Sequence, residues 1–155
     1  MPQEIALYED LGARAGHAAE AGVGEEGHVA GEAVFEQVVV VRTDDAPLDG
    51  SAPLLLYGYG SYGISIPAGF STSRLSLVDR GFIYAIAHIR GGKDKGYGWY
   101  KAGKMMTKKN TFEDFIAAAE WLIANRYTRP EKLAIQGASN GGLLVGACMT
   151  QRPEL

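Results

Sequence analysis

The sequence predicts an α/β fold in which a mostly parallel sheet is flanked by helices. Three observations predict it. Short β-branched runs alternate with segments of helical periodicity, and that alternation requires crossover connections. The run at residues 82–89 is apolar at consecutive positions, as in strands covered on both faces. Finally, Gly137-Ala138-Ser139-Asn140-Gly141-Gly142 lies between an apolar run and a small, apolar segment. Strand, Gly-x-Ser-x-Gly and helix in that order form the setting in which the pattern carries chemical meaning.

Taken in order, residues 1–33 read as a low-complexity leader rich in Ala, Gly and Glu, and 34–155 as the folded domain. Ile5, Leu7 and Leu11 are loosely spaced for one helix over residues 1–13, and residues 16–31 are expected to be mobile. Residues 34–42 are short and β-branched, which predicts a strand. Residues 44–53, with two prolines, three aspartates and a glycine, carry turn chemistry. Leu54-Leu55-Leu56-Tyr57 is a second strand running into Gly58-Tyr59-Gly60-Ser61-Tyr62-Gly63. Residues 71–80 predict a helix with Leu75, Leu77 and Val78 inward, and 82–89 are the third strand. Residues 90–98 read as a glycine-broken loop. From Thr111, the residues Phe112, Phe115, Ile116, Ala119, Leu122 and Ile123 repeat at helical spacing. Thr111 and Asp114 resemble a capping box at its start. A turn with Pro130, a strand at 132–137 and a helix from Asn140 complete the chain.

The composition excludes several classes. The chain has 155 residues, 46% apolar, with a net charge of -3, enough for one core and a poor match for nucleic acid as partner. No run approaches the roughly 18 apolar residues of a membrane span. Neither a signal peptide nor, with Cys148 as the one cysteine, an internal disulfide is evident. Both fit the cytoplasm. No Cys/His cluster has metal-ligand spacing and no phosphate loop occurs, so no cofactor is expected.

The chemistry centres on Ser139. A serine hydroxyl is a weak nucleophile unless a base and oxyanion donors stand beside it. A tight strand-to-helix turn lifts Ser139 clear of the sheet. Gly137 and Gly141 give that turn room, and Gly142 allows close helix packing. The Asn140 N–H, at the positive end of the helix, faces the place where an oxyanion would form. A strand-to-helix turn with a capping serine would use the same residues without chemistry. His88, in an apolar strand, reads as a hydrogen-bonded core residue, and His17 and His28 lie in the leader. Arg90 reads as a structural ion-pair partner, Glu113 and Asp114 as helix N-terminal charges, and Lys108 and Lys109 as solvated surface.

Beside the serine motif, several segments stand in order from Pro53 onward: Leu55-Leu56-Tyr57-Gly58-Tyr59-Gly60-Ser61-Tyr62-Gly63, Ser73-Arg74-Leu75 and Ala87-His88-Ile89-Arg90-Gly91-Gly92. Gly98-Trp99-Tyr100, Lys109-Asn110-Thr111-Phe112-Glu113-Asp114-Phe115 and Gln151-Arg152-Pro153-Glu154-Leu155 follow. In these segments and their spacing the sequence resembles the peptidase domain of the prolyl oligopeptidase family of serine peptidases. Gly60-Ser61-Tyr62-Gly63 and the Ala-His-Ile-Arg-Gly-Gly segment look most like the oligopeptidase B branch. Ser139-Asn140-Gly141-Gly142 is closer to the prolyl-cleaving branch. The resemblance implies a partial α/β-hydrolase fold, truncated after the nucleophile elbow. It also implies cleavage of short peptides after Arg or Lys. By this resemblance Ser139 is the nucleophile, Asn140 the backbone oxyanion donor and Tyr59 the side-chain donor. For Tyr59 the residues alone allow a half-buried aromatic in a turn; the flanking glycines, which bring the loop close to the serine, favour the donor role.

The family's order is serine, aspartate, histidine, and after Ser139 this sequence has neither of the last two. Little peptidase activity is therefore expected of these residues alone. An esterase on the same fold, and a non-catalytic interaction module, stand as alternatives. The strand at 132–137 has no later strand beside it in this sequence, which predicts an exposed sheet edge and self-association.

Overall fold

The computed structural model describes residues 7–10 and 37–155. The rest of the leader, with His17 and His28, lies outside the described residues. The elements are β1 (Leu7–Asp10), β2 (Gln37–Val41), β3 (Leu54–Tyr57), α1 (Thr72–Val78), β4 (Ile83–His88), α2 (Tyr97–Lys101), α3 (Lys109–Ala124), β5 (Leu133–Gln136) and α4 (Gly141–Gln151). Short 3₁₀ turns at Met105–Thr107 and Pro130–Lys132 precede α3 and β5.

The described strands form one sheet in the order β1-β2-β4-β3-β5. The sheet is mixed. β3 runs parallel to both β4 and β5, whereas β2 pairs antiparallel with β4 and β1. The parallel half carries the helical crossovers α1 and α3. The helix expected over residues 1–13 is not formed at Leu7–Asp10. There the backbone instead pairs with β2, Leu7 opposite Val40 and Asp10 opposite Gln37, which gives the outer edge of β2 its hydrogen-bond partners.

Side-chain alternation divides the core into two layers. On one face Val38, Val40, Leu54, Leu56, Ile83 and Ala85 meet Phe115, Ala118 and Leu122 of α3 and Leu144 of α4. On the other, Val39, Val41, Tyr84 and Ile86 pack with Val78 of α1. β4 is buried at every position, as its unbroken apolar run predicts. Leu75 and Leu77 are only half-buried, leaving Val78 as the buried contact of α1. Among the described residues no helix is long and apolar enough to cross a membrane.

Two local expectations fail. The segment at 90–98 ends in a helix, α2, whose five residues are too few to display a period. α3 begins at Lys109, so Thr111 lies inside its first turn and does not cap it. Thr111 is fully buried, and its hydroxyl donates toward the Arg90 carbonyl at 2.8 Å, with the Gly103 carbonyl at 3.1 Å. Its polar atom serves the neighbouring loop.

Candidate active site

The site follows from strand order. β3 and β5 are parallel neighbours with Tyr57 opposite Gln136, so the loops after them leave the sheet side by side. The Gly58 N–H donates to the Gln136 carbonyl at 3.1 Å and ties the two exits together. Crevices at the carboxyl ends of parallel strands are the usual ligand sites of such sheets.

Ser139 has φ of +53°, a left-handed conformation that costs a non-glycine residue on the order of 1–3 kcal/mol. It is exposed. The turn closes through Gly141 N–H to the Ala138 carbonyl at 2.7 Å and Gly142 N–H to the Ser139 carbonyl at 2.9 Å. A Cβ on Gly137 would collide with the Gly141 carbonyl, so the turn admits only glycine there. A Cβ on Gly141 would press on the Gly58 carbonyl oxygen at 3.2 Å and lie 3.6 Å from the Tyr59 ring. Gly142 differs from expectation: a Cβ there meets nothing within 4 Å, because it faces away from the packed side of α4.

Tyr59 is thus brought against the first turn of α4. Among the described residues its hydroxyl has no hydrogen-bond partner, and neither has the Asn140 N–H. The flanking glycines act otherwise than expected. Cβ atoms on Gly58 and Gly60 would strike Phe115 and Thr111, so these glycines press the loop onto α3, while Gly141 provides the approach to the elbow.

Beneath the loop lies a second layer. The Gly63 N–H donates to the Gly91 carbonyl at 2.9 Å, and a Cβ on Gly91, at φ +102°, would collide with the Gly60 carbonyl. Arg90 holds this layer. Its Nε donates to Asp114 Oδ2 at 2.8 Å, its Nη2 to Oδ1 at 2.5 Å and its backbone N–H to Oδ2 at 2.9 Å. Asp114 is fully buried. Arg90 is therefore an ion-pair partner as expected, whereas Asp114 is the buried acceptor of that pair and not a charge at the helix N-terminus. Hydrogen bonding to Asp114 raises the Arg90 pKa above its ordinary value. Glu113 stays on the surface with Lys109, Nζ to Oε1 3.0 Å.

Lys108 corrects another expectation. It is half-buried, and Nζ donates to the Gly60 carbonyl at 2.6 Å and to Ser61 Oγ at 2.7 Å. Burial lowers its pKa. Asn140 Nδ2 donates to the same Ser61 Oγ at 2.6 Å. The sequence marked Ser61 only as part of the branch-like Gly60-Ser61-Tyr62-Gly63 segment, and Lys108 only as surface. The one available signal was a lysine just ahead of a helix whose buried face meets the glycine-rich loop.

His88 Nε2 lies 2.8 Å from the Ile66 carbonyl. A carbonyl oxygen only accepts, so Nε2 carries a proton, and His88 is the hydrogen-bonded core residue expected. Among the described residues no group of three His, Cys, Asp or Glu side chains is placed to hold a metal ion.

A serine raised on a strand–turn–helix elbow, over a sheet covered by helices on both faces, defines the α/β-hydrolase class. Comparison with known proteins narrows it. The family model described as "Prolyl oligopeptidase family" matches residues 68–155. Dipeptidyl aminopeptidase BI of Pseudoxanthomonas mexicana is 47% identical over 117 residues, covering 76% of this chain and 16% of that protein. Protease 2 of Moraxella lacunata is 52% identical over 118 residues, covering 76% and 17%. Among solved structures, oligopeptidase B from Leishmania major superimposes with a TM-score of 0.73 at 50% identity, over 76% of this chain and 16% of its own. A prolyl endopeptidase structure gives 0.75 at 52% identity, over 76% and 17%. The chain belongs to the prolyl oligopeptidase family. It spans about a sixth of the length of the curated relatives it matches.

Proposed function

We propose that this chain is the nucleophile-bearing part of a serine oligopeptidase that cleaves short peptides after Arg or Lys. Ser139 attacks the scissile carbonyl. The Asn140 N–H and the Tyr59 hydroxyl then hold the oxyanion, and the positive end of α4 adds to their field. The observation that carries the reading is the pairing of an exposed, left-handed serine with two donors that lack acceptors, on segments that meet at Gly141. The basic specificity rests on the branch-like residues at 60–63 and 87–92 and on the likeness to oligopeptidase B.

These 155 residues supply no His or Asp after Ser139. Losing the base of a serine triad costs about 10⁴–10⁶ in turnover, so slow hydrolysis is expected of the chain by itself. A fluorophosphonate reads the serine and its oxyanion donors directly; with the base absent its attack is slowed as hydrolysis is, so labelling is followed over hours in excess reagent and compared with Ser139→Ala. Labelling mapped to Ser139 by mass spectrometry, and lost in Ser139→Ala, is the expected result. Equal labelling of the variant would sink the hydrolase reading and favour a non-catalytic module. Relative rates on an arginyl amide, a prolyl amide and an aryl ester then test specificity. Ester cleavage without amide preference would make the protein an esterase.

A further inference from the structure

Two side-chain donors converge on Ser61 Oγ, and the hydrolase reading uses neither side chain. Ser61 is 4% exposed. Its oxygen receives Lys108 Nζ from the start of α3 and Asn140 Nδ2 from the start of α4. Lys108 also holds the Gly60 carbonyl, the peptide group next to Tyr59. Its ammonium is half-buried and meets no carboxylate among the described residues. Leaving water without an anionic partner is costly for an ammonium. An apolar or shorter side chain would avoid that cost if the position served packing alone.

We propose that Ser61, clamped between Lys108 and Asn140, is a positioning residue that fixes the separation of the two oxyanion donors. This rests on the hydrolase reading. One donor, the Tyr59 hydroxyl, is borne by the loop that Lys108 anchors. The other, the Asn140 N–H, belongs to the residue whose side chain Ser61 holds. Oxyanion stabilisation depends on donors fixed in advance at the right spacing, and the hub joins the two segments by a single oxygen atom. Among the described residues no other side-chain hydrogen bond links the loop to the elbow.

The test uses the whole 155-residue chain with Ser61→Ala, Lys108→Met and Lys108→Arg. The Asn140 backbone amide and the Tyr59 ring are followed by NMR. Ser139 phosphonylation is resolved into a maximal rate and an inhibitor constant. The expected result is that Ser61→Ala and Lys108→Met move both resonances together and cut the maximal rate about tenfold, with the inhibitor constant unchanged. Lys108→Arg, which keeps donors for both acceptors, restores most of the rate. Unmoved resonances, or a rate loss shared equally by Lys108→Arg, would overturn the proposal. Should Lys108→Met fail to fold, Ser61→Ala, which removes one oxygen, decides alone. Failure of the hydrolase reading is separate: there the unmodified chain labels no faster than Ser139→Ala, while the resonances still report whether the hub couples the donors.

Discussion

Ser139 sits in a conformation that an L-residue adopts at a cost, and that cost is the local signature of the elbow. Ser139→Gly removes it, and is expected to raise stability by about 1 kcal/mol in urea titration while abolishing phosphonylation. Unchanged stability would mean that the turn is unstrained. Cys148 offers a second test on a single side chain. Burial pushes its thiol from 9.0 up to about 11. The folded state therefore keeps the thiol neutral where the unfolded chain ionises it. The stabilisation is complete below pH 9 and is lost as pH rises to about 11. Stability of the natural chain should fall more steeply across that window than stability of Cys148→Ala, and parallel curves would contradict this. At this scale the sequence exposed Ser139, because five neighbouring residues define its turn. It concealed Ser61 and Lys108, because their contact spans 47 positions and arises from loop packing.

At the scale of elements, β3, β4, β5 and the body of α3 were legible for physical reasons. β3, β5 and α3 turn one face inward at a fixed period, and β4 shows the unbroken apolar run of a strand buried on both faces. The start of α3 was misread because Thr111 and Asp114 match a capping pattern. They are drawn inward by Arg90 and the Gly103 carbonyl. α2 was missed for lack of length, and β1 because its pairing with β2 is not visible in four residues. Asp114 is the element-level test. It joins α3 to the end of β4 with no exposure of its own. Asp114→Ala leaves the part-buried Arg90 guanidinium without its carboxylate, and is expected to cost about 3 kcal/mol by urea titration, the low end for a buried pair. A loss below about 1 kcal/mol would show that the loop at 90–92 is held by other contacts.

At the scale of the whole molecule, β5 is the outer strand of the described sheet, with Leu133 and Ile135 only partly buried. Beside it an apolar groove of about 410 Å³ opens between α3 and α4, lined by Phe115, Ile116, Cys148 and Met149. An unpaired strand edge next to apolar surface favours association. Sedimentation velocity is expected to show self-association of this chain, weakened by Met149→Lys on the groove rim. A monomer at all concentrations would contradict it. Fold and candidate site meet in one arrangement: adjacent parallel strands bring together residues 79 positions apart, Ser61 and Asn140, and with them Tyr59 and Ser139. The most direct test is a crystal structure of the chain with a boronate or phosphonate on Ser139. One adduct oxygen is expected about 2.7–3.1 Å from both the Asn140 nitrogen and the Tyr59 hydroxyl. An adduct oxygen facing solvent, with the Tyr59 hydroxyl bonded elsewhere, would contradict it.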